Sequence, residues 1–482
     1  MADMTWRLRV AAAALGALAA LGQAPWGLWG PSLAALAGLI ALVAKAGRRE
    51  AVWRAWFGGA GYFGLALNWL VQPFMVDAAR DGWMAPFALV LMAFGLALFW
   101  ALAALLPARN RALGFALALT AAELARGYVL TGFPWALIGH IWIDTPVAQL
   151  AAWVGPSGLT LLTLLLAYGL TRGRAAAGAA VGLGLAWGLG LWVLAAPMPE
   201  PRAITLRLVQ PDAAQQAKWD PELAQQFFDR LLAYTAVKPA PDLVIWPETA
   251  LPYLIERHPE IAPIIAEAAG GASVAFGLQR MQGEQAWNAL RVIGAEGQTL
   301  ANYHKFHLVP FGEYIPFGDA LFTWANISAF ASVTGNGYMA GPGPQVIDLG
   351  ALGKMQPLIC YEAVFPQDLR GAGRADWLLQ ITNDAWFGVW SGPFQHAAQA
   401  RLRAIEQGLP LVRVANTGVT AVYDARGRVT ASLTFGTASY LDAALPSPLA
   451  ATIYAQFGEI PVLMMLGGLF GLLYSRRNTA RA

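Results

Sequence analysis

Cysteine is almost absent from this chain of 482 residues: there is one, Cys360. A single cysteine excludes a disulfide framework and any zinc site built on cysteine pairs. Charge is scarce too. Only 13% of residues are Asp, Glu, Lys or Arg, against 57% hydrophobic, about half the charged share of an ordinary soluble domain, so much of the chain must face lipid. Lysine occurs at Lys45, Lys218, Lys238, Lys305 and Lys354 and nowhere else, although arginine is plentiful. The histidines form no His-Glu-x-x-His pair, and no Gly-x-Ser-x-Gly elbow or P-loop is present. No metal set and no cofactor motif is therefore expected.

The apolar residues are unevenly spread. Seven stretches long enough, or nearly so, to cross a bilayer precede residue 200, at about 8–24, 29–45, 55–75, 84–106, 112–130, 147–170 and 177–197, and an eighth lies at about 457–474. The first resembles a signal sequence in its small residues, but the spans that follow favour an uncleaved anchor. The expected organisation is a transmembrane bundle of seven helices over 1–200, a water-soluble domain over 203–443, a transmembrane helix over 455–475 and a tail over 476–482.

Basic residues set the orientation, because short cytoplasmic loops retain Lys and Arg. With the N-terminus inside, Arg7, Arg9, Lys45, Arg48, Arg49, Arg54, Arg109, Arg111, Arg172, Arg174 and Arg476 fall on the cytoplasmic face, and Arg80 and Arg126 lie in or near the opposite loops. Both termini are then cytoplasmic and the soluble domain extracytoplasmic. The net charge of +3 follows from this topology and calls for no nucleic-acid partner. Glu123 and Arg126, three apart, share one helical face and are expected either to pair at the interface, with Trp135 as an aromatic anchor, or to face lipid headgroups. Gly132-Phe133-Pro134 breaks the helix there.

In the soluble part, short Val-, Ile- and Leu-rich runs at 205–209, 243–246, 273–278, 290–293, 358–361, 378–381, 412–415 and 420–423 read as strands. Helical patterns at 221–237, 261–269 and 394–407 lie between them, which argues for an α/β layered domain. Asp424-Ala425-Arg426-Gly427 reads as a hairpin turn.

Three strand ends carry chemistry: Trp246-Pro247-Glu248, the run Tyr303 to Glu313, and Ile359-Cys360-Tyr361-Glu362. A lone cysteine is either core filler or a thiol kept for reactivity, and a strand end followed by an acid favours the second. A thiol of ordinary pKa about 8.5 needs a base or a cation to react at neutral pH. Glu248 supplies the one and Lys305 the other. Taken singly, each also fits a plain role: Glu248 a surface carboxylate, Lys305 a solvated side chain, His304 and His307 packed or surface rings.

Together, Glu248, Lys305 and Cys360 in these contexts resemble the Glu-Lys-Cys signature of the nitrilase superfamily. With spans on both sides, and with Lys218-Trp219-Asp220, Pro310-Phe311-Gly312-Glu313, Asn383-Asp384-Ala385-Trp386-Phe387-Gly388, Gln395-His396, Arg403-Ala404-Ile405-Glu406 and Thr131-Gly132-Phe133-Pro134-Trp135, the whole chain resembles the apolipoprotein N-acyltransferase family of bacterial inner membranes. The resemblance implies an α-β-β-α sandwich on the periplasmic side of a multi-pass protein of about eight spans. It implies a phospholipid acyl donor, typically phosphatidylethanolamine acylated at sn-1, and as acceptor the α-amine of an S-diacylglyceryl-cysteine apolipoprotein. It also implies supporting roles in the active site for Glu313 and Glu362. Tyr361 is a further supporting candidate and Trp386 a substrate-binding or gating one; Trp219 and Tyr361 either contact acyl chains or gate entry, or are plain aromatic packing. The apolar segment 317–339, with Gly335, Gly337, Gly341 and Gly343, reads as a mobile lid dipping into the outer leaflet. Two other readings stay open: a membrane-tethered amidase with water as acceptor, and a transporter or receptor whose soluble domain binds ligand.

Overall fold

The computed structural model describes residues 2–215, 220–316 and 337–475. Trp219 and most of the expected lid, 317–336, lie outside the described residues, as does the tail after Ser475. The chain divides into two compact units: Met1–Pro197 with Phe387–Glu406 and Ala451–Ala482, and Met198–Trp386 with Gln407–Ala450.

The first unit is helical. Among the described residues three helices are long and apolar enough to cross a membrane, Ala78–Ala103, Pro146–Leu170 and Gly173–Ala195. Trp29–Ala44 and Ile460–Ser475 are apolar but shorter. The helices Ala2–Ala20, Arg48–Ala66 and Arg111–Arg126 occupy the remaining apolar stretches, and they carry charges at their ends and on their faces. Arg9 Nη2 meets Glu50 Oε1 at 2.6 Å, joining the first two of these.

Glu123 and Arg126 are both buried and paired at 2.7 Å. Trp100 Nε1 donates to Glu123 Oε1 at 2.9 Å, and Arg126 Nη1 donates to the carbonyls of Phe133 and of Trp135, the latter at 2.9 Å. The pair thus ties a helix end to the irregular turn after it, where Leu130, Gly132 and Ala136 take positive φ. A headgroup-facing role is overturned by this burial. Trp135 is no interfacial anchor either: it is fully buried, its indole donating to Gln395 Oε1 at 2.7 Å. Gln395 Nε2 in turn donates to Ala66 O at 3.0 Å, and Ser391 Oγ to Asn68 Oδ1 at 2.8 Å. These bonds hold Phe387–Glu406 to the helical unit.

The second unit is built on two six-stranded sheets. The first runs β12-β1-β2-β3-β4-β5, with β1 Thr205–Gln210, β2 Leu243–Ile245, β3 Ser273–Gln282, β4 Gln285–Ile293, β5 Thr299–His304 and β12 Ser439–Ala444. The second runs β11-β10-β9-β8-β7-β6, with β6 Ile347–Asp348, β7 Lys354–Ile359, β8 Trp377–Thr382, β9 Leu411–Ala415, β10 Ala421–Tyr423 and β11 Val429–Ser432. Strands β1, β2 and β3 are mutually parallel, as are β7, β8 and β9, and antiparallel strands flank both sets.

Alternation along the strands sorts the side chains. Leu206, Leu208, Leu243, Ile245 and Ala275 point between the sheets and meet Ile359, Leu379, Ile381 and Val414. Their neighbours Val209, Val244, Trp246, Val274 and Phe276 point outward onto the helices Pro221–Thr235 and Ile261–Ala269. This is the two-faced packing that buried parallel strands require. Several boundaries differ from the sequence reading: β3 runs on to Gln282, and β4 begins at Gln285 where the apolar run began at 290. The run at 358–361 ends as a strand at Ile359, and Cys360–Val364 turn as a 3-10 helix. β5, β6, β11 and β12, which no apolar run announced, are the four sheet edges. The hairpin turn closes as expected, Gly427 standing at φ 71 between β10 and β11.

Candidate active site

The carboxyl ends of β2 and β5 share one edge of the first sheet, because β5 is antiparallel to β4 and β4 to β3, which restores the direction of β2. Glu248 follows β2, Lys305 follows β5, and Cys360 follows β7 on the facing sheet. All three are buried, and Lys305 is only 1% exposed. A surface carboxylate and a solvated lysine are thereby ruled out.

Glu248 reaches inward because the chain after β2 lies hard against β3. Trp246 N donates to Ala275 O at 2.8 Å and Gly277 N to Pro247 O at 3.1 Å. A Cβ on Gly277 would come within 2.6 Å of Glu248 Cα, Pro247 O and Thr249 N. Glu248 Oε1 accepts from Asn288 Nδ2 at 2.7 Å and lies 3.7 Å from Lys305 Nζ, while Oε2 accepts from Asn383 N at 2.8 Å.

Glu313 returns to Lys305 through the tight turn Val309–Glu313, closed by Glu313 N donating to Val309 O at 2.8 Å. Its carboxylate oxygens stand 2.9 and 2.8 Å from Lys305 Nζ. Asn288 Nδ2 bridges the two acids, donating also to Glu313 Oε1 at 2.9 Å. Burial alone would push the Lys305 ammonium down, but Glu313, Glu248 and the Cys360 sulfur together hold its proton affinity above the ordinary value. The two acids therefore favour the ammonium form. Gly341 N donates to Lys305 O at 2.8 Å and packs on the His304 backbone so closely that a Cβ would meet His304 O at 2.2 Å. The close approach explains the glycine at 341 by packing.

Cys360 takes φ 52, a left-handed conformation that costs a non-glycine residue about 1–3 kcal/mol and needs its surroundings to hold it. Two side chains do so. Glu362 Oε2 accepts from Ile359 N at 2.7 Å, and Gln380 Nε2 donates to Cys360 O at 3.0 Å. Glu362 also accepts from Tyr303 OH at 2.9 Å and from the Phe306 and His307 amides at 2.8 and 3.3 Å. It clamps the segment after β5 to the segment after β7, so Lys305 and Cys360 are placed by one carboxylate. Burial pushes Glu362 up to about 7, although the Ile359 amide, Lys305, the Phe306 amide and Tyr303 oppose this.

Burial also pushes the Cys360 thiol up, Glu248 and Asp384 push it further, and Lys305 and Thr382 only partly offset them. One ammonium faces two carboxylates here, so a thiolate would add a second excess negative charge. Burial and the neighbouring acids thus favour the protonated thiol, and a base at hand is what a reaction at this sulfur would require.

Tyr361 is buried, its ring edge-on to His307 at 5.8 Å and Phe365 at 4.8 Å. His307 is packed on Phe365 and paired with Asp368 at 2.8 Å, and His304 stacks on Trp287 at 5.3 Å. Trp386 is half-buried on the turn after β8. Sequence reasoning missed Asn288, Gln380 and Arg413. Each is a buried polar residue flanked by apolar neighbours within a strand, an anomaly that a search for interrupted strand runs would have found.

Residues 15–169 match the family model described as apolipoprotein N-acyltransferase N-terminal domain, and residues 205–454 that of carbon-nitrogen hydrolase. The chain is 40% identical over 452 residues to the apolipoprotein N-acyltransferase of Caulobacter vibrioides, covering 87% of this chain and 84% of that one. It is 36% identical over 473 residues to the apolipoprotein N-acyltransferase of Rhodopseudomonas palustris, covering 90% and 88%. Among solved structures it is similar to an amidase from Nesterenkonia sp., at 18% identity and TM-score 0.39, over 56% of this chain and 98% of that one.

Proposed function

Because the chain belongs to the apolipoprotein N-acyltransferase family and is an acyltransferase of apolipoproteins, we propose that it moves an acyl chain from the sn-1 ester of a phospholipid, typically phosphatidylethanolamine, through a thioester on Cys360 to the α-amine of an S-diacylglyceryl-cysteine. The observation that carries this reading is a buried cysteine, held at positive φ at the end of β7, facing a buried ammonium that is flanked by two carboxylates.

Glu248 takes the thiol proton as sulfur attacks the ester carbonyl and the S–C bond forms. The oxyanion is held by Lys305 Nζ and the backbone N–H of Tyr361. The ester C–O bond breaks, and the lysophospholipid leaves with the proton from Glu248. The acceptor amine then attacks the thioester, gives its proton to Glu248, and forms the amide as the C–S bond breaks. Glu248 returns that proton to sulfur. Glu313 keeps Lys305 charged and oriented, and Glu362 places Lys305 relative to Cys360. Tyr361 lends its N–H, while Trp219 and Trp386 contact acyl chains or gate access.

The protein is a multi-pass protein of the bacterial inner membrane. Eight spans put both termini in the cytoplasm and the sandwich in the periplasm, supported by the basic residues that cluster on alternate loops. The three long apolar helices support passage through lipid.

Intact-mass measurement on the purified protein given phosphatidylethanolamine vesicles tests the reaction. One acyl chain of added mass is expected, removable by hydroxylamine, absent in Cys360→Ala and discharged by a diacylglyceryl-cysteine peptide. Turnover to free fatty acid without acceptor would instead make the protein a hydrolase, and an adduct persisting in Cys360→Ala would remove Cys360 from the scheme.

A further inference from the structure

Behind the nucleophile runs a buried polar circuit that the three catalytic groups do not use. Thr382, the last residue of β8, donates its hydroxyl to Asp384 Oδ1 at 3.0 Å; the parallel pairing of Ile359 with Ile381 puts it next to Cys360 across the β7–β8 ladder, where its hydroxyl serves the Cys360 sulfur. Asp384 Oδ2 is held by Arg413 Nη2, and Arg413 Nη1 donates to Gln380 Oε1. Arg413 Nε donates to Val419 O at 3.0 Å. Gln380 closes the circuit on the Cys360 carbonyl. Thr382, Asp384, Gln380 and Arg413 are all fully buried.

A hydroxyl has one hydrogen and two lone pairs. While the thiol is protonated, S–H can donate to Thr382 Oγ1 and the Thr382 hydrogen can serve Asp384. Once sulfur carries charge it becomes an acceptor, and two acceptors then claim a single hydrogen. Asp384 can release it, because Arg413 still compensates its charge.

We propose that Thr382 is a further catalytic residue, whose hydroxyl hydrogen turns from Asp384 to the Cys360 sulfur whenever the sulfur is ionised. The inference rests on the reading of Cys360 as nucleophile. Thr382 transfers no proton: during acylation the thiol proton goes to Glu248, and during deacylation the electron pair of the breaking C–S bond returns to a sulfur already facing this donor. Asp384 and Arg413 are positioning residues. The charged groups facing the sulfur are Glu248 after β2, Lys305 after β5 and Asp384 after β8. Since two of these three oppose the thiolate, a neutral donor adds to what Lys305 alone supplies.

Cys360 is the only cysteine, so its alkylation by iodoacetamide can be followed by intact mass across pH without any lipid. Thr382→Val keeps the shape and removes the hydroxyl, while Thr382→Ser keeps the hydroxyl. Thr382→Val is expected to slow alkylation roughly tenfold to a hundredfold at a given pH and to move the profile to higher pH, with Thr382→Ser close to the parent. Acyl-enzyme formation on phosphatidylethanolamine vesicles should fall in the same ratio. A Thr382→Val profile superimposed on the parent's would overturn the proposal, as would equal slowing by Ser and Val, which would assign the effect to packing. A parent protein that alkylates as expected but takes no acyl chain from the vesicles would defeat the lipid reading and leave the Thr382 result standing.

Discussion

Glu313 and Lys305 meet at 2.8 Å, whereas the oxygen of Glu248 nearest to Lys305 stands 3.7 Å away. Two acids therefore divide one cation unequally. The nearer forms the close ion pair, and the farther is the one that the proposed mechanism uses as base.

Replacing Glu313 should consequently damage Lys305 and not the base. Glu313→Ala removes one partner of a buried pair and is expected to cost about 3–5 kcal/mol of stability, read as a lowered unfolding midpoint in detergent. Glu313→Gln leaves an acceptor for the ammonium and should hold the fold better, yet slow acyl-enzyme formation about 10²-fold by misplacing the oxyanion donor.

Glu362 makes stability depend on pH. Its folded proton affinity, at about 7, exceeds the 4.5 of the free side chain, so the folded state binds more protons than the unfolded one between these values. Its contribution is full below pH 4.5 and is lost as pH rises through 7, on the order of 3 kcal/mol in all. Glu362→Gln should be less stable below that window, since a carboxamide NH2 faces backbone donors, and should flatten the slope between pH 4.5 and 7. Denaturant titrations of both proteins at several pH values would show this, and parallel slopes would refute it.

Gly277→Ala is expected to cost about 1–3 kcal/mol and most of the activity. The new methyl would press on the backbone of Pro247, Glu248 and Thr249, which cannot swing aside as a side-chain tip could. The unfolding midpoint and the acyl-enzyme rate should fall together, while alkylation of Cys360 persists.

Topology can be read by thiol labelling in a Cys360→Ala background. With Glu284→Cys in the β3–β4 turn, a membrane-impermeant maleimide should label spheroplasts directly, and with Arg109→Cys only after permeabilisation. The reverse pattern would place the sandwich in the cytoplasm.

The central strands were legible because each is a buried apolar run, and the edges were not. β5, β6, β11 and β12 are half-exposed and mix polar with apolar residues, so no run marks them. One of these edges, β5, delivers Lys305. The lysine itself was found from its rarity and its setting, while the strand that places it went unseen.

Local chemistry in the chain determined which groups could react: one thiol at the end of an apolar run, one lysine among few, and acids after Pro247 and Gly312. It also determined that part of the chain belongs in lipid, since apolar length and charge need no partner to be read. The fold decided what those groups are. Glu362 became a clamp between two sheets, Asn288 a bridge between two acids, and Arg126 a buried staple in place of a headgroup contact. Each of these roles depends on residues tens of positions apart or on the burial they share, and no periodicity along the chain encodes a distance across it.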